Sequence, residues 1–532
     1  MRHSLRDRAD RRRLRALIDA GEILEAHGLL GRAHELARLA NIPPPRPRGP
    51  ATGPLPRLWR PRRVRRHRTR SAPGLLAATG AAFLWFAAPC AAVVLWLARL
   101  LRARIAVPAA PSLRVWLGDA NGLLAARGRT RRPPRAIVLD ARDLGQNLLV
   151  LGGIGSGKTT SVIQPLLLQA LAQDAGGLVF DIKGDFGQAV HALARRTGRV
   201  LTTIGPGKRA FNLLRGLTPE TAASFLRSAL LLAGAPGDPF WVETAVELCR
   251  NALGVLSFVP ESYHLAGLYQ YLFHDDIRAR IDAQLHAEMV GLSPQALRLL
   301  RSYQAYHEGV FTRFDSKVAA GVLASCAQVL TPFTHPDLVD AFCPPADAVG
   351  IEGLGRGEVV LVDLPLSVWG TGAKVIYTFL KLRFFQFMQR RPSAERARPV
   401  LFVCDEYQEI VSANKDGLSD LNFWDKGRAF GTVGVLSAQS IASFYAAVGD
   451  RDLADTLLQN FRQKICLRSD DLATVEFFHR LLGAIEPRAL RDLPVAPARL
   501  LRRLRNRQAL VALSLGGEGL EDVIDLPAVF TA

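Results

Sequence analysis

Gly152-Gly153-Ile154-Gly155-Ser156-Gly157-Lys158-Thr159 is the stretch that decides the fold of this 532-residue chain. It matches G-x-x-x-x-G-K-[ST], the phosphate-binding loop of nucleoside triphosphatases. The apolar run 148–151 before the loop predicts a buried strand, and residues 161–173 after it predict a helix. Glycines let successive backbone N–H groups converge on a phosphate chain, and the helix N-terminus adds partial positive charge. The pattern therefore predicts an α/β protein whose residues 152–160 bind ATP.

A second apolar strand, which ends in two acids, supplies the other half of the predicted site. Residues 400–404 are apolar and are followed by Asp405 and Glu406. Open α/β sheets bind ligands at the carboxyl ends of their strands. Asp405 is therefore predicted to hold Mg²⁺ together with the Thr159 hydroxyl, beside Thr160, and Glu406 to polarise the attacking water. Lys158 is predicted to bridge the β- and γ-phosphates.

Two further polar residues follow the same logic. Gln439 ends the apolar run 432–438, where an amide can contact the γ-phosphate and orient water. Arg428, eleven residues earlier, is a candidate to reach the nucleotide of a neighbouring subunit and stabilise transition-state charge. The alternatives are that Arg428 is an exposed solubilising side chain and that Gln439 only starts a helix.

The order of strand and helix signals divides the chain into domains. Residues 136–216 and 346–532 alternate between apolar strands and helices and form the two parts of a nucleotide-binding domain. Residues 217–345 show helical patterns without strand signals, which predicts an all-α insertion domain. An insertion of this size usually contacts a substrate or a protein partner.

The positive charge of the chain is concentrated at its N-terminus. Residues 1–135 contain 28 arginines and seven acids, whereas the remaining residues are almost neutral, although the whole chain has a net charge of +20. The region 1–74 is predicted to hold an amphipathic helix followed by a Pro/Arg-rich linker. The arginine run 57–70 allows three interpretations: a membrane-flanking anchor, a nucleic-acid arm or a solvated tail. The six cysteines form no C-x-x-C pair, which argues against zinc sites and disulfides.

Residues 75–98 form a run of 24 residues without charge. As a helix this run would be about 36 Å long, enough to cross a hydrocarbon core of about 30 Å. It therefore predicts a transmembrane helix, with a buried core helix as the alternative. Residues 99–135 are then a basic juxtamembrane linker. Because arginines lie on both sides of the span, the positive-inside rule does not decide its orientation.

The chain resembles the type IV coupling proteins of bacterial conjugation and type IV secretion, over about residues 137–515. Besides the motifs above, the resemblance rests on Asp181-Ile182-Lys183-Gly184-Asp185, Phe211-Asn212-Leu213-Leu214 and Asp238-Pro239-Phe240-Trp241. The first of these, with Asp181, Lys183 and Asp185, looks like the family's Asp-Pro-Lys-Gly-Glu element, with Asp185 in the place of its Glu. Family members usually have two membrane spans, whereas this chain has one candidate.

The resemblance implies a RecA-like P-loop core with an all-α insertion domain and an N-terminal transmembrane stem. It also implies a homo-hexamer in the inner membrane, with its ATPase in the cytoplasm, that uses ATP and Mg²⁺. Such a motor moves single-stranded DNA with its relaxase, or protein effectors, into a type IV secretion channel. Two alternatives stay open: a motor dedicated to protein effectors, and an ATP-switched platform that does not translocate. The chain has no Leu-Ser-Gly-Gly-Gln signature, which argues against an ABC transporter.

Overall fold

The structure is a computed structural model that describes residues 113–124, 135–234, 238–344, 349–413, 417–485, 493–494 and 498–527. The predicted basic N-terminal region and the predicted transmembrane helix 75–98 lie outside these residues. Among the residues that are described, no single helix is long and apolar enough to cross a membrane. One pair of helices, Ser316–Thr334 and Pro336–Phe342, meets that test only jointly, and the pair is bent by 87°.

A large mixed sheet is the centre of the fold. The strands of the described residues are β1 (Arg114–Ala120), β2 (Ala136–Asp140), β3 (Leu148–Leu151), β4 (Gly176–Asp181), β5 (Leu201–Ile204), β6 (Val359–Asp363), β7 (Val400–Cys404), β8 (Thr432–Ala438), β9 (Gln463–Cys466), β10 (Ala484–Ile485), β11 (Leu493–Pro494), β12 (Gln508–Leu515) and β13 (Glu518–Asp525). Strands β10 and β11 pair only with each other and form a separate small sheet. The eleven strands of the sheet lie in the order β2-β1-β13-β12-β9-β3-β8-β7-β4-β6-β5. The predicted α/β class is therefore confirmed, and the sheet is large.

The part of the sheet from β9 to β5 is parallel. Every residue of β3, β7 and β8 is buried, as expected for apolar strands covered by helices on both faces. Strand β8 lies between β3 and β7, so one strand separates the strand before the P-loop from the strand before Asp405. Because these strands are parallel, their carboxyl ends share one edge of the sheet.

Helices cover the sheet and fill the connection between β5 and β6. In chain order the helices are Ala141–Leu144, Thr159–Ile163 (a π-type turn) continuing as Gln164–Ala172, Gly187–Arg196, Pro219–Leu232, Pro239–Leu256, Leu265–Phe273, Asp275–Glu288, Pro294–Gly309, Ser316–Leu330, Pro336–Phe342, Leu366–Arg390, Asp420–Trp424, Ile441–Val448, Arg451–Gln459, Leu472–Leu482 and Ala498–Arg503. Short 3₁₀ turns lie at Pro260–Ser262, Met289–Gly291, Phe311–Arg313, Thr331–Thr334, Glu352–Arg356, Ser393–Glu395, Tyr407–Glu409 and Gly427–Phe430.

The described residues between β5 and β6 form helices and no strand. Two of the motifs that carry the resemblance organise this helical region. Phe211 N–H donates to the Ala341 carbonyl at 2.8 Å, and Asn212 Nδ2 donates to the Pro344 carbonyl at 2.9 Å, which joins the two ends of the region. Asp238 caps the helix that begins at Pro239 by accepting the Phe240 N–H at 2.9 Å. These motifs therefore have structural roles in the helical region.

The segment 99–135, predicted to be a linker, contributes a strand to the sheet. Strand β1 lies within it and pairs with β2 and β13. Leu113, Val115 and Leu117 are buried, whereas the alternate residues Arg114 and Trp116 are exposed. The period-2 pattern of a half-buried strand was present, but the surrounding arginines obscured it. The long helix Leu366–Arg390 has a break at Gly370 (φ 48°).

Candidate functional site

The P-loop joins β3 to the helix that begins at Thr159. Gly155 and Gly157 adopt left-handed backbone conformations (φ 68° and 90°), which glycine adopts without the steric cost that other residues incur. The Lys158 side chain is buried, and its Nζ donates to the Gly152 carbonyl at 2.9 Å. Burial lowers the pKa of Lys158, although the charges of Glu406 and Asp405 partly oppose this effect. The loop therefore places a buried lysine against its own glycine-rich backbone, an arrangement suited to a phosphate site.

Asp405 lies at the end of β7 and faces the P-loop. Its Oδ2 accepts the Thr159 hydroxyl at 2.5 Å, and its Oδ1 accepts the Ser437 hydroxyl and, at 3.1 Å, the Glu406 N–H. The structure thus brings together the two residues predicted to hold Mg²⁺. A hydroxyl and a carboxylate are hard oxygen donors, which Mg²⁺ prefers, and Mg²⁺ usually takes few protein ligands besides phosphate and water. The described residues contain no cluster of three or more His, Cys, Asp or Glu suited to a metal.

Glu406 is almost fully buried and has a left-handed backbone conformation (φ 59°). Its Oε2 accepts a hydrogen bond from Gln408 Nε2 at 2.6 Å. Its Oε1 forms an ion pair with Lys183 Nζ. A non-glycine residue in this conformation is uncommon, and such conformations concentrate at functional sites.

The Asp-Ile-Lys-Gly-Asp motif forms the loop after β4. The buried Asp181 carboxylate accepts the N–H groups of Gly184 (2.8 Å), Phe186 (3.3 Å) and Gly187 (2.7 Å). Burial raises the pKa of Asp181, and these three hydrogen bonds oppose the rise. Asp185 is exposed. Of the three acidic and basic residues of the motif, Asp181 therefore organises the loop and Lys183 reaches the site.

A buried ion pair supports the segment that follows Glu406. Lys381 and Asp420 are both fully buried, with Nζ and Oδ2 2.6 Å apart. Trp424 Nε1 donates to Asp420 Oδ1 at 3.1 Å, and Tyr407, the neighbour of Glu406, donates its hydroxyl to the same oxygen. Burial raises the pKa of Asp420, and Lys381 opposes the rise. Removing one partner of such a pair typically costs about 3–5 kcal/mol because it leaves an uncompensated buried charge.

Gln439 lies at the carboxyl end of β8, on the same edge as the P-loop. It lines a cavity of about 320 Å³ together with Gly153, Ile154, Arg468 and Asp471. A larger cavity of about 900 Å³ lies elsewhere, between the helical region and the start of the helix Leu366–Arg390. The smaller cavity is the one that adjoins the P-loop.

Arg428 lies at the amino ends of the parallel strands, opposite to the carboxyl ends that carry the P-loop. It belongs to the turn Gly427–Phe430, which precedes β8, and β8 spans about 20 Å from its first to its last residue. The Arg428 side chain is exposed and lies beside Gly145, at the start of the segment that leads into β3. Arg428 is therefore far from the P-loop of its own chain.

Comparisons with known proteins bear on this arrangement. Residues 369–492 match the family model of the type IV secretion-system coupling protein DNA-binding domain, a segment that contains Asp405, Glu406, Arg428 and Gln439. The predicted resemblance to type IV coupling proteins is confirmed. No curated protein sequence matches the chain.

Solved structures of a coupling protein share the fold. The plasmid coupling protein TrwB in complex with the non-hydrolysable ATP analogue ADPNP is 18% identical, with a TM-score of 0.56 over 80% of this chain and 98% of that chain. TrwB in complex with ADP and Mg²⁺ is 17% identical, with a TM-score of 0.56 over 80% and 97%. The unbound bacterial conjugative coupling protein TrwBdeltaN70 is 15% identical, with a TM-score of 0.55 over 78% and 94%. These coupling-protein structures establish the similarity of fold.

Several residues of the candidate site are not marked by any of the sequence motifs. Ser437 interrupts the apolar run of β8 and could have been noticed as a polar residue aimed at the site. Arg468 follows β9, which is buried throughout and ends beside β3, but β9 was not recognised as a strand. Gln408 and the pairing of Lys183 with Glu406 leave no sequence signal, because they depend on how two distant segments meet.

Proposed function

We propose that the chain is a hexameric, membrane-anchored ATPase that couples ATP hydrolysis to the movement of single-stranded DNA through a type IV secretion channel. The observation that carries the proposal is the meeting of Lys158, Thr159, Asp405 and Glu406 at one edge of the sheet. Phosphate-binding loop, magnesium ligands and a buried carboxylate together form the minimal machinery of nucleotide hydrolysis.

Each residue of this machinery has a distinct task. The backbone N–H groups of the P-loop and Lys158 bind the phosphates, and Thr159 and Asp405 hold Mg²⁺. Bound Mg²⁺ supplies Lewis-acid neutralisation of charge on the phosphate oxygens. Glu406 orients and polarises the attacking water, and Gln439 contacts the γ-phosphate from the neighbouring strand. The Ser437 hydroxyl and the Glu406 N–H donate to Asp405 Oδ1, and these hydrogen bonds orient the carboxylate towards Thr159.

The ring assembly accounts for the position of Arg428. This exposed arginine lies at the edge of the sheet opposite to the P-loop, so one molecule cannot bring both to the same nucleotide. A head-to-tail interface places one edge of a subunit against the other edge of its neighbour, and repetition of that interface closes a ring. In a homo-hexamer Arg428 then completes the site of the adjacent subunit.

The cargo of the motor is single-stranded DNA, delivered with its relaxase. The match of residues 369–492 to a coupling-protein DNA-binding domain supports DNA. A motor dedicated to protein effectors is the second candidate, because residues 136–532 are almost neutral overall. Glu406 and Gln439, which serve hydrolysis, argue against a platform that only binds ATP.

Hydrolysis should respond to DNA if DNA is the cargo. We expect single-stranded DNA to raise the ATP turnover of the full-length protein several-fold, independently of base sequence. The stimulation should fall steeply between about 50 and 200 mM salt, because binding through phosphates releases counterions. Two oligonucleotides of unrelated sequence and equal length serve as matched probes. Turnover that is unchanged by DNA at the lower salt concentration would favour the protein-effector motor.

The membrane anchor is a separate prediction, because residues 75–98 lie outside the described part of the structure. We place the chain in the inner membrane with its ATPase in the cytoplasm. Full-length protein should remain in the membrane fraction after a high-salt wash, and protein lacking residues 1–104 should not. Leu84→Arg should weaken retention, since an arginine near the centre of a span costs about 2.5–3.5 kcal/mol, whereas Leu84→Val should not. Release of the full-length protein by salt alone would indicate surface binding through the arginine run.

A further inference from the structure

Lys183 is the basic residue that the structure pairs with the buried Glu406 carboxylate. Its Nζ lies against Glu406 Oε1, while Gln408 holds the other oxygen. The Lys183 side chain is 46% exposed, whereas that of Glu406 is only 3% exposed. Burial alone would lower the pKa of Lys183, but its ion pair with Glu406 and the nearby carboxylates of Asp405 and Asp185 raise it overall. The lysine thus stays charged at the mouth of the site.

The backbone that carries Lys183 is held in place from several sides. Asp181 accepts three N–H groups of the loop. Gly184 has a left-handed conformation (φ 85°), and the ring of Pro365 lies so close that a Cβ at this position would approach it to 2.6 Å. Leu366 N–H donates to the Ile182 carbonyl at 2.9 Å. The loop backbone therefore fixes the position of Lys183 independently of the contact between its side chain and Glu406.

Lys183 is a different cation from the P-loop lysine. The Glu406 and Asp405 side chains are neighbours in the chain and are both buried. Lys158 also interacts electrostatically with the Glu406 and Asp405 carboxylates. Its proposed partners during turnover, however, are the nucleotide phosphates. The Asp405 carboxylate accepts hydrogen bonds from the hydroxyls of Thr159 and Ser437. Lys183 is the remaining cation in contact with the Glu406 carboxylate among the described residues.

We infer that Lys183 is a positioning residue for hydrolysis: together with Gln408 it holds the Glu406 carboxylate oriented towards the attacking water. The inference rests on the proposed function, in which Glu406 polarises that water. Lys183 acts through Glu406, so it should affect the hydrolytic step and leave ATP binding intact. A displacement of a catalytic group by about 1 Å can cost on the order of 100-fold in rate.

The test compares full-length Lys183→Ala, Lys183→Met and Lys183→Arg with Glu406→Gln and with the double variant Lys183→Ala/Glu406→Gln. We expect the alanine and methionine variants to lower kcat by about 10–100-fold, with KM for ATP within about twofold of wild type. The arginine variant should recover most of the loss, because it restores the charge. The double variant should turn over no more slowly than Glu406→Gln alone, since both changes disable the same group.

Lys208→Ala is a matched control. Lys208 also forms an ion pair at the carboxyl edge of the sheet, with Asp363 at the end of β6, and its side chain is 37% exposed. Its removal should leave kcat near the wild-type value. Equal melting temperatures of Lys183→Ala and wild type would show that the loss of turnover is not a loss of folding.

The outcomes separate this inference from the proposed function. Wild-type turnover in Lys183→Ala, with Glu406→Gln inactive, overturns only the role of Lys183. Losses that multiply in the double variant also overturn it, because the two residues would then act independently. A weaker affinity for ATP at unchanged kcat would assign Lys183 to the nucleotide instead. Normal turnover in Glu406→Gln would refute the role of Glu406 in the proposed function and the inference with it.

Discussion

Lys158→Ala should reduce ATP hydrolysis by the full-length protein by at least about 100–1000-fold, the usual effect of removing a group that stabilises developing charge. The Lys158 side chain is buried in the P-loop, where we expect it to offset the charge of the β- and γ-phosphates. Lys158 is the only lysine of residues 152–160, so no other lysine of the loop can take over this role. The measurement is steady-state phosphate release at saturating ATP. Lys208→Ala, which changes an ion pair outside the P-loop, should keep turnover close to wild type.

The same variant should remain folded. Burial lowers the pKa of Lys158, which means that the charged side chain is unfavourable in the folded protein. Its removal should therefore not lower the melting temperature in the absence of nucleotide, while stabilisation by added ATP should disappear. Turnover within twofold of wild type would refute the assignment of residues 152–160 as the nucleotide site.

Arg428→Ala should also be nearly inactive, and mixing it with Lys158→Ala should restore activity. An arginine supplied across an interface typically contributes about 10³–10⁵-fold to turnover. In mixed rings, some P-loops of Arg428→Ala subunits face an intact Arg428 of Lys158→Ala subunits. Random assembly at equal amounts makes about one interface in four active, so turnover should rise from near zero to roughly a quarter of wild type.

This experiment distinguishes an interface residue from an exposed surface arginine. Co-assembly is first verified by affinity capture of one tagged variant with the other. The exposed Arg280, which lies in the helical region, gives a matched control, because Arg280→Ala should retain turnover on its own. If Arg428→Ala alone hydrolyses ATP normally, Arg428 only contributes to solubility. If co-assembled rings show no recovery, Arg428 does not act between subunits.

The two predictions address the two edges of the sheet. Lys158 lies at the carboxyl edge and Arg428 at the amino edge, separated by the length of β8. The loss in Lys158→Ala tests the site within one subunit. The recovery in mixed rings tests whether a second subunit completes it. For a ring ATPase we expect both results: loss of activity in Lys158→Ala alone, and partial recovery in rings that mix Lys158→Ala with Arg428→Ala.

Much of the site could be predicted from short stretches of sequence. The P-loop and the pair Asp405-Glu406 are each preceded by an apolar strand, so the motif and its structural context lie within a few consecutive residues. The parallel arrangement then follows from the alternation of strands and helices, which brings the carboxyl ends of the strands to one edge. The meeting of Thr159 with Asp405 agrees with that expectation.

Other parts of the fold were hidden by their local composition. Strand β1 lies in an arginine-rich segment whose composition predicts a linker, although Leu113, just before the strand, and Val115 and Leu117 within it alternate as in a half-buried strand. Strands β12 and β13 pair with each other and extend the sheet towards β1, and no motif marked them. Strand pairing depends on partners that are distant in sequence, which local patterns do not report.

The sequence by itself determined which residues are the candidates to bind phosphate and magnesium, because a loop of glycines, a lysine and a hydroxyl is one contiguous motif. It also placed Glu406 at the end of a buried strand. Only the tertiary structure decided that Lys183 of one loop meets Glu406 of another, and that Arg428 faces away from its own P-loop. The reason is physical: a strand fixes the directions of its own ends, but contacts between loops depend on the order in which strands pack within the sheet.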